Sequence, residues 1–270
     1  KTDIVNAFAK SMGDSPVVPL KNGTWCPTVA PWVEKLGPSC LYADGGDSFT
    51  HGSSVLRDSL IGPLWLVMQE VIRPDETAAE FMLNYHCDLM HLDNVAFSQP
   101  YYSMHPWMHL KRGETKAFLK AYYNTFAGLA DRETYTFWEH FYHVSPHKTH
   151  EEAWFLMQTR WMLYMEEKDT LKLFPGIPRA WMENGKRLEI KNAASYFGPI
   201  SVKVESEPGK GYIKARVECT SDRKPQTVEI RLPHPDGRKG IEAIDGIYDR
   251  EREAVRIERF CGYADIMLKF

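Results

Sequence analysis

Near residue 180 the spacing of apolar residues changes, and no other feature of the 270-residue chain constrains its fold as strongly. Upstream, apolar residues recur every three or four positions. Ala78, Met82, Tyr85, Leu89 and Leu92 form one such set, Phe118, Tyr122, Phe126 and Leu129 a second, and Trp154, Met157, Trp161 and Tyr164 a third. That rhythm puts each set on one face of a helix. Pro74-Asp75-Glu76 reads as a helix start, because proline fits the first turn and carboxylates suit the positive end of the helix dipole. A further helix is expected from Ser53 or Ser54, with Leu56, Leu60, Leu64, Val67 and Val71 inward and a kink at Pro63; a shorter one covers Asp3 to Met12. Beyond Gly185 the period becomes two. Val202 and Val204, Ile213 to Val217, Val228 to Leu232, Val255 with Ile257, and Ile266 to Phe270 alternate with charged neighbours. Pro208-Gly209, Pro235-Asp236-Gly237 and Asp245-Gly246 supply turns. The expectation is a helical-hairpin domain over residues 1–180 followed by an antiparallel β-sandwich over 181–270. Lys203, Glu205, Arg216, Glu218, Glu229 and Arg231 are expected on solvated outward faces of that second domain, whose role is structural support.

Composition narrows the function classes. With 33 basic and 36 acidic residues the net charge is −3, which gives no basic excess to hold a nucleic-acid backbone. Apolar runs fall far short of the roughly 20 residues that cross a bilayer, so no membrane partner is expected. The five cysteines form no C-x-x-C pair, which argues against a zinc knuckle; free thiols are expected ahead of a Cys26–Cys40 disulfide. The 8 Trp, 13 Tyr and 13 Phe fill a large core, and some are free to stack on sugar rings.

The junction reads Leu171-Lys-Leu-Phe-Pro-Gly-Ile-Pro-Arg-Ala-Trp181, then Glu183-Asn-Gly185. Pro175 and Pro178 stiffen an extended connector that Trp181 can pin. This text resembles the junction of bacterial six-hairpin glycosidases, whose last barrel helix leads into a C-terminal sandwich. The ending is similar too, with Ile230-Arg-Leu-Pro233 and then Ile244-Asp-Gly246 before a final strand to Phe270. The resemblance covers about residues 110–270. It implies an (α/α)6 helical toroid with a C-terminal antiparallel β-sandwich, a carbohydrate substrate and no cofactor, with a periplasmic or extracellular setting. A full toroid has twelve helices, whereas five or six are legible here. The expectation is therefore a partial toroid, completed by a missing N-terminal half or by another chain.

Glycoside hydrolysis uses two carboxyl groups flanking the scissile bond, and loops at a toroid's mouth are where they sit. One loop, Tyr42-Ala-Asp44-Gly-Gly-Asp47-Ser-Phe-Thr-His51, offers Asp44 or Asp47 as a base and His51 as a sugar contact; its Asp and Gly residues also suit plain turn chemistry. The other runs Asp131 to His143 and contains Trp138-Glu139-His140. A carboxyl beside an apolar ring is desolvated, which raises its pKa toward that of a general acid, so Glu139 is the leading catalytic candidate. The bland reading is a helix glutamate in a salt bridge. Trp138, His140, His143, Trp107 and Tyr101 are candidate substrate contacts, the tryptophans and tyrosine being expected in connections. No metal site is expected: Pro106 interrupts His105-x-x-x-His109, and His140/His143 lack the H-E-x-x-H pattern. Two other functions fit the same residues. A polysaccharide lyase would use Tyr135, Tyr142, His140 or His143 to abstract a proton, and a non-catalytic glycan binder would lack one carboxylate.

Overall fold

The computed structural model describes residues 1–14, 17–19, 23–27, 66–90, 105–138 and 145–270. Contacts divide the chain into two compact units, Lys1–Gln158 and Thr159–Phe270. Helices fill the first and strands the second, with one helix running across the division.

In the helical unit, α1 spans Thr2–Asp14. A two-stranded ribbon pairs β1 (Val17–Pro19) with β2 (Trp25–Pro27), where Trp25 is exposed. A helical turn over 66–68 buries Val67. α2 (Thr77–Met90) follows Pro74 as expected; Ala79 and Leu83 are buried and Ala78 is half-buried, while the side chains of Met82, Tyr85 and Leu89 lie outside the described set. α3 spans His105–Arg112. Pro106 does not break it, because it lies in the first turn, where a missing N–H leaves no hydrogen bond unmade. Trp107, expected in a connection, is consequently a buried helix residue with the Lys111 ammonium 5.0 Å from its ring centre.

α4 (Thr115–Leu129) buries Phe118, Tyr122 and Leu129 on the expected face, while Phe126 stays partly exposed. α5 (Thr149–Leu163) opens with Glu151 and Glu152 at its positive end. Trp161 is buried as expected, but the helix stops at Leu163. Tyr164, expected on the same stripe, instead begins a strand.

The second unit holds two five-stranded sheets. In the first, β5 (Arg187–Ser195), β6 (Gly198–Glu207), β7 (Tyr212–Glu218), β12 (Tyr263–Lys269) and β9 (Glu242–Ile244) are antiparallel in that order. Val202, Val204, Ile213, Ala215, Val217, Ile266 and Leu268 share its buried face. In the second, the order is β10 (Ile247–Asp249), β11 (Ala254–Glu258), β8 (Thr227–Arg231), β4 (Thr170–Leu173) and β3 (Tyr164–Glu167). One pair breaks the expected antiparallel pattern: β4 and β8 run parallel, with Leu171 opposite Val228. Parallel neighbours need a long crossover, and β5, β6 and β7 all lie between these two in sequence. Asp245, at φ 60°, and Gly246 turn β9 into β10, so this hairpin places one strand at the edge of each sheet.

The junction is built into this unit. The N–H groups of Phe174 and Gly176 donate to the carbonyls of Leu163 and Met162 at 2.7 and 3.1 Å, satisfying acceptors that the end of α5 leaves open. Phe174, Ile177 and Met182 are buried, and a 3₁₀ turn over Arg179–Met182 ends the segment.

Candidate functional site

The residues singled out from the sequence fall unevenly on the structure. Asp44, Asp47, His51, Tyr101, Glu139, His140 and His143 lie outside the described residues. Trp138 is half-buried at the end of the described approach to Glu139. Among the described residues no three His, Cys, Asp or Glu side chains group as a metal site. No described helix is long and apolar enough to cross a membrane. Cys40 lies outside the described residues, and with it the Cys26–Cys40 pair; Cys219 is a buried free thiol and Cys261 an exposed one.

Both flanks of Glu139 are well defined. After α4 the chain reverses on Asp131, whose carboxylate accepts the N–H of Glu133 at 3.1 Å and the hydroxyl of Thr134 at 2.5 Å. Neither Asp131 nor Glu133 starts a helix; the first organises a turn. An isolated bridge pairs Ala130 with Phe137, and the Trp138 N–H donates to Leu129 O at 2.9 Å. On the far flank the Lys148 N–H donates to Phe137 O at 3.2 Å. The described ends on either side of 139–144 are thereby joined through the Phe137 carbonyl. Phe155 of α5 stacks on Tyr122 at 5.7 Å and on Phe126 at 5.5 Å, and meets Phe137 at 4.9 Å between ring centres. Four aromatic rings thus hold the turn that ends at Phe137 to both helices, each contact adding about 1 kcal/mol beyond burial alone.

Two polar residues on α5 were not legible as site residues. Glu151 is 0% exposed, with His150 Nε2 3.3 Å from its Oε1. Gln158, seven residues on and therefore on the same helix face, is 2% exposed, and its Oε1 has no hydrogen-bond partner among the described residues. Buried polar groups on a helix face are expensive and call for a reason. In the sequence Glu151 is an ordinary first-turn carboxylate, and only its burial distinguishes it.

A second charged group in this unit reads as structural. His109 is buried, and its Nδ1 lies 2.6 Å from Glu114 Oε2. Arg112 Nε donates to the other Glu114 oxygen at 2.8 Å, and Arg112 also donates to Pro74 O at 3.1 Å. The His109 hydrogen bond, with Arg112, holds the Glu114 carboxyl below the ordinary carboxylate range despite partial burial. These contacts join α3 to α4 across Gly113, whose φ of 79° makes the tight corner.

The strand-rich unit overturns one expectation. Arg231 is not solvated but buried, in a cluster around Glu253. Arg179 donates to both Glu253 oxygens at 2.7 and 2.6 Å, Lys239 donates at 3.2 Å and Arg231 at 3.3 Å. Arg231 also donates to Ile177 O at 2.9 Å, and Arg179 to His234 O at 2.8 Å. Alternation along β8 put Arg231 on the polar face correctly, but the junction and the Glu253 segment cover that face at this end. Burial pulls the Arg231 guanidinium down to about 10, which leaves it charged at neutral pH. Burial alone would push Glu253 up; the Arg179 hydrogen bonds, with Arg231 and Lys239, more than offset it. With all its groups paired, the cluster is a latch that fastens the junction to the sheet. The chain matches no protein-family model and no curated protein.

Proposed function

We propose that this chain is a glycoside hydrolase-like protein that cleaves a glycosidic bond in an oligosaccharide or polysaccharide by carboxylate acid–base chemistry. The observation that carries this reading is the junction. The Leu171–Trp181 text, similar to that of six-hairpin glycosidases, runs from the end of strand β4 through a segment that buries Phe174 and Ile177 and hydrogen-bonds the end of α5, into a 3₁₀ turn. The order of helical region, junction and β-sheets supports the finer reading of a partial (α/α)6 toroid with a C-terminal sandwich. Further hairpins of that ring would come from residues outside the described set or from additional polypeptide.

On this reading Glu139 is the general acid, with Trp138 as its apolar neighbour in sequence. Asp44 or Asp47 supplies the second carboxylate, activating water or attacking the anomeric carbon. His140, His143, His51 and Tyr101 serve as hydroxyl or ring contacts.

The test is incubation with a panel of plant and microbial glycans, followed by product analysis. The hydrolase reading expects new reducing ends without ultraviolet-absorbing unsaturated ends. Unsaturated products would identify a lyase instead, and binding without turnover a lectin-like protein; either result displaces the proposal.

A further inference from the structure

The polar face of the second sheet is sunken along its middle and open at its rim, where the Arg256 side chain is 52% exposed. Along β4, β8 and β11, Leu171, Leu173, Val228, Ile230 and Val255 point to the apolar side. On the other side the pairing register sets Lys172 opposite Glu229 and Glu229 opposite Arg256, an alternating row of charge across three adjacent strands. On an ordinary solvated face such side chains stand in water. Here the Lys172 side chain is 8% exposed and that of Glu229 19%. At one end of the face lies the Glu253 latch. Beside it a groove of about 550 Å³ remains open, lined by these residues with Gln226, Thr227 and Arg252 among others.

The groove's electrostatics select a ligand class. Lys168, Lys172, Arg252 and Arg256 face Glu167, Asp169, Glu229 and Asp249, so the two signs balance. Pairs fix many of these groups in place: Lys172 Nζ lies 2.5 Å from Glu167 Oε2, and Arg252 lies 3.8 Å from Glu229. Asp249 accepts the N–H groups of Glu251 and Arg252 at 2.9 and 3.1 Å. A balanced lining offers no net attraction to an anion or a cation. It does offer donors and acceptors at alternating positions and fixed orientation, with Thr227 and Gln226 adding neutral ones. A molecule dense in hydroxyl groups, each able both to donate and to accept, matches that pattern. The volume falls within the range of ordinary small-ligand pockets.

We infer that the polar face of this sheet is a binding site for a neutral sugar of one or two rings, built from residues other than the carboxylates proposed for hydrolysis. Glu229 and Asp249 accept from sugar hydroxyls, and Arg256 and Lys172 donate to them. The choice of sugars rests on the proposed glycan activity; the existence of the site does not.

The test is isothermal titration of the whole protein with cellobiose, xylobiose, maltose and lactose, using those it does not turn over. Inorganic phosphate and glycine are titrated alongside. The expected result is millimolar or tighter binding of at least one disaccharide, with no phosphate or glycine binding. Glu229→Gln and Arg256→Ala should each weaken it roughly tenfold or more, the size of a lost charge-assisted hydrogen bond. Because Glu229→Gln also unsettles Arg252, Gln226→Ala with Thr227→Ala is the paired variant: it breaks no ion pair, and should weaken binding about fivefold with an unchanged melting curve. Absence of disaccharide binding, binding that survives all of these variants, or tighter binding of phosphate or glycine would overturn the inference. Glycan turnover separates the two proposals. Groove variants should hydrolyse soluble glycans at the parent rate, and a protein that binds in the groove but hydrolyses nothing removes the hydrolase reading alone.

Discussion

Replacing Glu253 by Gln keeps the shape of the side chain and removes the single negative charge from among Arg179, Arg231 and Lys239. Removing one partner of a buried ion pair costs about 3–5 kcal/mol, because the charge left behind has neither water nor a counter-ion. The Arg231 and Glu253 side chains are 10% and 6% exposed, which puts that pair in the buried class. Arg179 and Lys239 reach water, at 31% and 38%, and recover part of their solvation. The lower end of the range is therefore expected, about 3 kcal/mol. In a unit of this size each kcal/mol moves the midpoint by roughly 4 °C, so the melting transition of Thr159–Phe270 should fall by about 12 °C. Calorimetry measures the shift, and hydrogen exchange assigns the transition to these residues. In the double variant R231M/E253Q the loss should be smaller than the two single losses added, since the stranded Arg231 charge is gone. A midpoint within about 2 °C of the parent would refute the idea that the latch holds the junction.

Acid should weaken both units. Glu253 and Glu114 both sit below their ordinary value of 4.5, so each contributes its full stabilisation above that pH. As pH falls through 4.5 the unfolded chain binds protons first and stability declines; once pH drops below the folded values the contribution is lost. Urea unfolding between pH 7 and pH 3 checks this, and a flat profile across 4.5 would contradict it. At the β9–β10 corner, a methyl at Gly246 would strike the Val255 side chain and come within 3.1 Å of Arg256 O. Gly246→Ala should therefore cost about 1–3 kcal/mol in equilibrium unfolding, against near-neutrality for Gly13→Ala, where nothing lies within 4 Å.

Period alone revealed the two parts of the fold, because a strand with one buried face cannot hide its alternation and a helix cannot hide its stripe. Val202, Val204, Ile213, Val217, Val228 and Ile230 are buried where the alternation puts them. What the pattern could not carry was tertiary cover. Arg231 and Glu229 share the polar face of β8, and alternation cannot tell that the junction crosses that face at Arg231 and buries it. The parallel β4–β8 pair was equally hidden, since alternation marks a strand without naming its neighbour. In the helical part, Pro106 read as a break because its position relative to the helix start decides its effect. For the site, the Trp138-Glu139-His140 text led to residues that lie outside the described set, of which only the flanks at Phe137 and Lys148 are described and hydrogen-bonded to each other. Glu151 and Gln158 escaped notice because charge and amide on a helix are commonplace, and their burial is a property of the folded chain.

The most direct test of the hydrolase account is the turnover of Glu139→Gln, measured beside its unfolding curve on a glycan that the parent protein cleaves. Loss of a catalytic carboxyl should lower turnover about a hundredfold or more while the melting midpoint stays with the parent. Near-parental turnover would contradict the account, because the reaction would then not need the carboxyl assigned to it as acid.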